Sequence, residues 1–297
     1  MSRNTNDSFI INAFHVAKPI VSLGPDNTFL DVRNTMLKYN IKRIVVFDSS
    51  LPDKKAIGIV TEKDIANFLS SHQFDKRRLG EIKLQELLQN KKPELYAVHK
   101  NFSLGICAQL MLDKNISSLL LVDEENNAKK IITKTDLIAL IASRDIGNFT
   151  THDYMTQKVI AVRPEENANS IPELLTQYNI SRVIVVRENK PIGIITTRDM
   201  IPKGKYFGIS SHRLKEFENR HLSSRIRMLP FTAEDIMTSN PLILIEQHDS
   251  LTNAARLMLG NQISGIPVVN KLQELVGIIT KTDIIKAIVD LGTNKGQ

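Results

Sequence analysis

One short pattern recurs four times along the chain, and it constrains the fold more than any other feature. Three copies read Gly, two apolar β-branched residues, Thr, two polar residues and Asp. They are Gly58-Ile-Val-Thr-Glu-Lys-Asp64, Gly193-Ile-Ile-Thr-Thr-Arg-Asp199 and Gly277-Ile-Ile-Thr-Lys-Thr-Asp283. The fourth, Lys130-Ile-Ile-Thr-Lys-Thr-Asp136, has Lys in place of Gly. A second pattern precedes each copy: Asn40-Ile-Lys-Arg-Ile-Val-Val, Asn115-Ile-Ser-Ser-Leu-Leu-Leu, Asn179-Ile-Ser-Arg-Val-Ile-Val and Gln262-Ile-Ser-Gly-Ile-Pro-Val. From its fourth residue to the following Thr is 18, 15, 14 and 15 positions. A lone Thr-x-x-Asp means little; four copies at nearly fixed distance from a shared partner segment define a repeated unit.

Each unit reads as strand, helix, strand, strand, helix, an α/β (α+β) arrangement. A short apolar run opens it (Pro19-Ile-Val-Ser-Leu, Val159-Ile-Ala-Val, Leu242-Ile-Leu-Ile), as a strand would. A helix follows, clearest at Leu251, Ala254, Ala255 and Met258, with Asp249 and Ser250 where an N-cap belongs. Two β-branched runs around a polar turn, such as Val183-Ile-Val-Val, Glu188-Asn-Lys and Ile192-Gly-Ile-Ile, read as a hairpin of buried strands. The last helix opens at Thr-x-x-Asp. In the third unit Pro172 means that the first helix starts near Ser170 or is kinked, and Pro202 cuts the last helix short. The first unit has a longer hairpin turn, residues 48–55.

A chain of 297 residues makes about two domains on a prior of roughly 100–200 residues each. No apolar run reaches the ~18 residues of a membrane helix. The polar N-terminus lacks a signal core, and the single cysteine, Cys107, in an apolar stretch, fits a reducing, cytoplasmic setting. The net charge of +7 is concentrated: residues 201–230 carry seven basic and two acidic side chains. Such a segment reads either as a solvated connector or as a surface for an anionic partner.

The closing Gly-apolar-apolar-Thr-x-x-Asp, together with Met155-Thr156 and Met237-Thr238 ahead of the opening strands, resembles the CBS (cystathionine β-synthase) domain. The resemblance implies four CBS repeats paired into two Bateman modules. Repeats 1 and 2, residues 1–72 and 80–146, form the first (1–146). Repeats 3 and 4, residues 150–202 and 231–297, form the second (150–297), with a basic connector at 203–230. It further implies two clefts per module for adenosine-containing ligands: AMP, ADP, ATP or S-adenosylmethionine. Each cleft takes Thr and Asp from one repeat and the opening strand of its partner. One cleft of the second module would use Arg182, Thr196, Arg198 and Asp199 with Thr238, Pro241 and Ile243. The other would use Thr280, Lys281 and Asp283 with Thr156, Val159 and Ala161. In the first module Arg43, Thr61 and Asp64 would face Tyr96-Ala-Val, and Thr133, Lys134 and Asp136 would face Val16 to Val21. His15-Val16 and Leu87-Leu88 stand where the Met-Thr pairs are expected.

The chemistry fits this resemblance. A helix N-terminus attracts phosphate, a Thr hydroxyl adds a donor, and an ionised Asp accepts from a ribose diol. Gly before the strand would keep the cleft open to a flat base. The same spacing also describes a helix capping box, with Thr and Asp merely structural. Arg182 favours the Asp199 cleft, whereas Gly265 stands at the corresponding place for Asp283 and weakens its grip on phosphate. Lys130 makes the Asp136 cleft the poorest.

The expectation is a non-catalytic sensor. Adenine nucleotide is its regulatory ligand, no cofactor or metal is required, and a regulated protein is its partner. The seven histidines have no metal-ligand spacing, and no nucleotide-hydrolysis or hydrolase motif occurs. Two alternatives remain open: nucleic-acid binding through residues 203–227, and a CBS scaffold with vestigial sites. Four units can close into a disc within one chain, or two chains can pair as a homodimer.

Overall fold

A computed structural model describes residues 12–48, 55–70, 77–90, 95–143, 149–199 and 232–293. The basic connector, most of the long first hairpin turn and the end of the third unit beyond Asp199 lie outside them.

The first unit comprises α1 (Ala13–Val16), β1 (Lys18–Pro19), β2 (Ser22–Leu23), α2 (Phe29–Tyr39), β3 (Arg43–Phe47), β4 (Ala56–Thr61) and α3 (Glu62–Ser70). The second comprises α4 (Leu84–Asn90), β5 (Ala97–His99), α5 (Leu104–Asp113), β6 (Ser118–Val122), β7 (Ala128–Thr133) and α6 (Lys134–Ala142). The third has α7 (Thr151–Tyr154), β8 (Ala161–Val162), α8 (Ile171–Gln177), β9 (Arg182–Arg187) and β10 (Lys190–Thr196). The fourth has α9 (Ala233–Ile236), β11 (Ile245–Glu246), α10 (Leu251–Gly260), β12 (Gly265–Val269), β13 (Leu275–Thr280) and α11 (Lys281–Thr293).

In every unit the opening strand runs parallel to the first hairpin strand, and the hairpin is antiparallel. The opening strands are shorter than the apolar runs suggest. In the first unit the run divides its loyalty: β1 joins β7 of the second unit, giving a four-stranded sheet β1-β7-β6-β5, while β2 stays with β3. The two halves of the run thus pair with different sheets.

The turn from the first helix into the hairpin uses a left-handed residue at the same place in all four units: Asn40, Asn115, Asn179 and Gln262, with φ of 48°, 49°, 50° and 56°. Asparagine tolerates this region better than other residues with a Cβ, which accounts for three of the four choices. Ser250 caps α10 by accepting from the Asn253 amide at 3.1 Å. Pro172 falls in the first turn of α8, preceded by a 3-10 turn at Ala168–Ser170. The helix therefore starts late and is not kinked; proline has no N–H to lose there.

The four units pack on one another within the chain. Helix α6 lies on α10, α11 on α5 and α6, and α3 on α8. One hydrophobic core runs through the second and fourth units, containing Cys107, Ala108, Met111, Ile138, Ile141, Ala254, Ala255, Met258, Ile284 and Ile288. Small residues on α5 and α10 let the helices approach closely. Among the described residues no helix is long and apolar enough to cross a membrane.

Candidate functional site

The four Thr-x-x-Asp motifs make the same local structure. The Thr amide donates to Asp Oδ2 at 3.0 Å (Thr61/Asp64), 2.9 Å (Thr133/Asp136), 2.9 Å (Thr196/Asp199) and 2.9 Å (Thr280/Asp283). The Thr hydroxyl donates to the same oxygen at 2.6, 2.6, 2.7 and 2.7 Å. The capping interaction is thus built in every copy, and it occupies one carboxylate oxygen. The other oxygen receives Lys18 at 3.2 Å on Asp136 and Lys286 at 3.1 Å on Asp283. Asp64 and Asp199 each have a further contact of their own.

The opening segments cross between paired units. Thr156 and Ile278 exchange two backbone hydrogen bonds of 2.9 Å, and Ile194 and Thr238 do so at 3.0 and 2.9 Å. Thr156 therefore lies beside the strand that leads to Thr280 and Asp283, and Thr238 beside the one leading to Thr196 and Asp199. Val159 and Ile243 are half-buried, while Ala161 and Pro241 are exposed. In the first module Lys18 pairs with Ile131 as Thr156 pairs with Ile278. The counterpart of Met155-Thr156 is consequently Ala17-Lys18, not His15-Val16; α1 is followed by one residue fewer before β2. Tyr96-Ala-Val enters β5 of its own unit, and Leu95 packs with Ile59 of the first unit in a shared cluster. Residues 91–94, just ahead, lie outside the described residues.

Two of the motif glycines, Gly193 and Gly277, have a different task from the one expected. A Cβ on Gly193 would meet Met237 Sδ at 2.2 Å, and one on Gly277 would meet Met155 Sδ at 2.6 Å. They admit the methionine of the crossing segment; the opening for a flat base is not what they secure. Lys130 and Ala17 make the same fit with sizes exchanged. The Lys130 amine donates to the Phe14 carbonyl at 2.9 Å and lies 4.2 Å from that ring's centroid.

The arginines also point elsewhere than expected. Arg182 donates to the Ser264 carbonyl and hydroxyl, both at 2.9 Å, and the charge that favours its ionised form is that of Asp283. Arg43 donates to the Ser117 carbonyl, and Asp136 is its main counter-charge. Each arginine donates across to the partner unit's upstream segment, with that unit's motif Asp as its main counter-charge. Gly265 makes this possible: a Cβ there would fall 2.1 Å from Arg182 Nη1. Arg198 pairs with Glu62 of the first unit.

These side chains meet where the four units converge. The Lys134 amine donates to Thr282 at 2.9 Å, Lys281 to Thr135 at 2.8 Å and Lys42 to Ser264 at 3.2 Å. Burial, with like charges adding to it, pulls Lys281 down to about 7 and Lys134 to about 8. Lys42 falls to about 8 through burial, Glu62 opposing the shift. Burial brings Arg43 and Arg182 to about 10. Lys42, Lys18 and Gly265 were missed as site residues by the sequence reading. Lys42-Arg43 is the only pair of adjacent cations in the four upstream patterns, a signal that was available.

The protein-family model described as "CBS domain" matches residues 13–71, 90–143, 152–203 and 233–290, most of the chain. The chain is 25% identical over 280 residues to the uncharacterized protein MJ1225 of Methanocaldococcus jannaschii, covering 91% of this chain and 95% of that one. It is 28% identical over 264 residues to MJ1404 of the same organism, spanning 84% of this chain and 61% of that one. The crystal structure of MJ1225, there called a proposed archaeal homolog of g-AMPK, superposes with a TM-score of 0.77 at 24% identity, covering 94% of this chain and 100% of that one. CBSX2 of Arabidopsis thaliana, solved in complex with AMP, covers 48% of this chain and 98% of its own at 23% identity and a TM-score of 0.39.

Proposed function

This chain belongs to the CBS domain family, and from that premise we propose that it is a non-catalytic regulatory protein that binds adenosine-containing ligands, its bound state being read by a partner protein. The cluster of Lys42, Arg43, Arg182 and Lys281, half-buried around the buried Lys134, carries this reading. Cations taken out of water are costly unless an anion joins them. The depressed lysines at the centre express that cost. Phosphate groups arriving at the N-termini of α6 and α11 would relieve it.

The cleft of Asp283 is the best furnished. Arg182, Lys281 and Thr280 would hold phosphate, and Thr156, Val159 and Ala161 would line the base. Ribose hydroxyls would donate to Asp283 in place of Lys286, whose side chain is 51% exposed. Thr196, Asp199, Thr238, Pro241 and Ile243 would form a second site with Arg198 at its edge. Thr61 and Asp64 would form a third.

In titration calorimetry, AMP, ADP, ATP or S-adenosylmethionine is expected to bind with micromolar to millimolar affinity, and Arg182→Ala to weaken a phosphorylated ligand roughly 10–100-fold, the loss of one or two charge-assisted hydrogen bonds. AMP is the first ligand to try. A full panel without binding or thermal stabilisation would end the proposal.

The same cluster sets a pH dependence. A bound phosphate favours protonated lysines, whereas the empty site holds Lys281, Lys134 and Lys42 near 7–8. Binding above pH 7 must therefore take up protons, and affinity for AMP is expected to fall between pH 7 and pH 9. Calorimetry in buffers of different ionisation enthalpy would register the proton uptake. Affinity flat across that range would contradict it.

A further inference from the structure

We infer that Lys18 closes the Asp136 cleft to nucleosides, so that the first module offers one adenosine site fewer than its repeats suggest. This inference rests on the adenosine-binding reading and specifies which clefts it applies to.

Asp136 is 3% exposed, and both of its oxygens are engaged. Oδ2 takes the Thr133 amide and hydroxyl at 2.9 and 2.6 Å, which leaves only Oδ1 for a ribose diol. The Lys18 amine lies 3.2 Å from Oδ1. A ribose would therefore replace a charged donor by neutral hydroxyls on a carboxylate that water scarcely reaches. A hydroxyl on a carboxylate is itself charge-assisted, so what the exchange forfeits is the ammonium charge beside Asp136.

Lys18 cannot drift away with its segment. Its backbone is laddered to Ile131, and Pro19 pairs with Lys130. Lys130 pins the preceding helix by its bond to the Phe14 carbonyl at 2.9 Å and its seat on that ring. In the Asp283 cleft the equivalent ladder position is Thr156, which brings no charge. The cation on Asp283 is Lys286, three residues along the same helix and outside the crossing segment. The Asp136 and Asp283 clefts thus share the Thr-x-x-Asp motif and differ in where their cation comes from: the crossing segment for Asp136, the motif helix for Asp283.

Lys18 is 68% exposed, so changing it should leave folding intact. Equilibrium dialysis with labelled AMP, carried to saturation on the full chain, gives the number of sites. Lys18→Thr is expected to bind one AMP more than the parent, and Lys18→Thr combined with Asp136→Asn to lose that extra equivalent. Asparagine keeps an oxygen for the Thr133 cap and weakens the grip on ribose. Lys18→Arg is expected to keep the parental number. Equal, non-zero numbers for the parent and Lys18→Thr would overturn the closure while leaving the adenosine reading standing. Four AMP molecules on the parent chain would also overturn it. No AMP on any variant would defeat both.

Discussion

Alanine at Gly277 is expected to destabilise the protein by about 1–3 kcal/mol, the usual cost of forcing extra volume into a packed seam. The new Cβ would fall 2.6 Å from Met155 Sδ, 3.1 Å from its Cγ and 3.2 Å from the Thr156 carbonyl oxygen. The last of these is backbone and cannot rotate aside. Met155→Ala alone should cost less than the about 2–5 kcal/mol of a fully buried methionine, because Met155 is half-buried. The two together should be clearly less harmful than their sum, because each relieves the other. The first module supplies the precedent, with Ala17 on the crossing segment and Lys130 on the strand. Equilibrium urea unfolding of the four chains in this cycle measures the coupling. Additive losses would mean that the glycine and the methionine do not share the space the structure assigns them.

Alanine at Gly265 should behave in the opposite manner: little change in unfolding, a large change in binding. Its Cβ would lie 2.1 Å from Arg182 Nη1 and 2.9 Å from Cζ. Those atoms are the far end of a flexible side chain, so the guanidinium can swing out and the fold survives. What is lost is the placement of Arg182 over Ser264 beside Asp283. AMP affinity in the second module should fall about tenfold or more, as expected when a charge-assisted bond worth roughly 1.5–3 kcal/mol disappears. Adding Arg182→Ala to Gly265→Ala should then change little. Calorimetry on the single and double variants decides: a further large loss in the double would show that Arg182 still reaches the ligand with alanine opposite.

Much of this molecule is legible in its sequence because the informative residues act locally. The Thr-x-x-Asp caps, the Ser250 cap, the left-handed Asn40, Asn115 and Asn179, and the late start of α8 at Pro172 each depend on a few neighbours along the chain. The misreadings concern side chains that leave their own unit. Arg43 and Arg182 stand next to their own hairpins in sequence, yet their direction is set by how small the facing residue is on another strand. The purpose of Gly193 and Gly277 could not be read without knowing that Met237 and Met155 arrive from the paired unit. Lys18 was hidden because no Met-Thr pair marks the crossing segment, and His15-Val16, two residues earlier, takes the place of Ala17-Lys18 in the comparison of units. The choice of α10 as partner for α6 was equally invisible, since an amphipathic stripe says that a helix needs cover and not which helix provides it.

The common core of the second and fourth units bears on how the molecule can be divided. Cutting the chain at its midpoint would strip Ile138, Ile141, Ala255 and Met258 of their cover. Either half, made alone, would present a greasy flank with nothing of its own to lay upon it. Half-length pieces are therefore poor stand-ins for the intact polypeptide, and a twin of the same piece would be the nearest available substitute for the missing half.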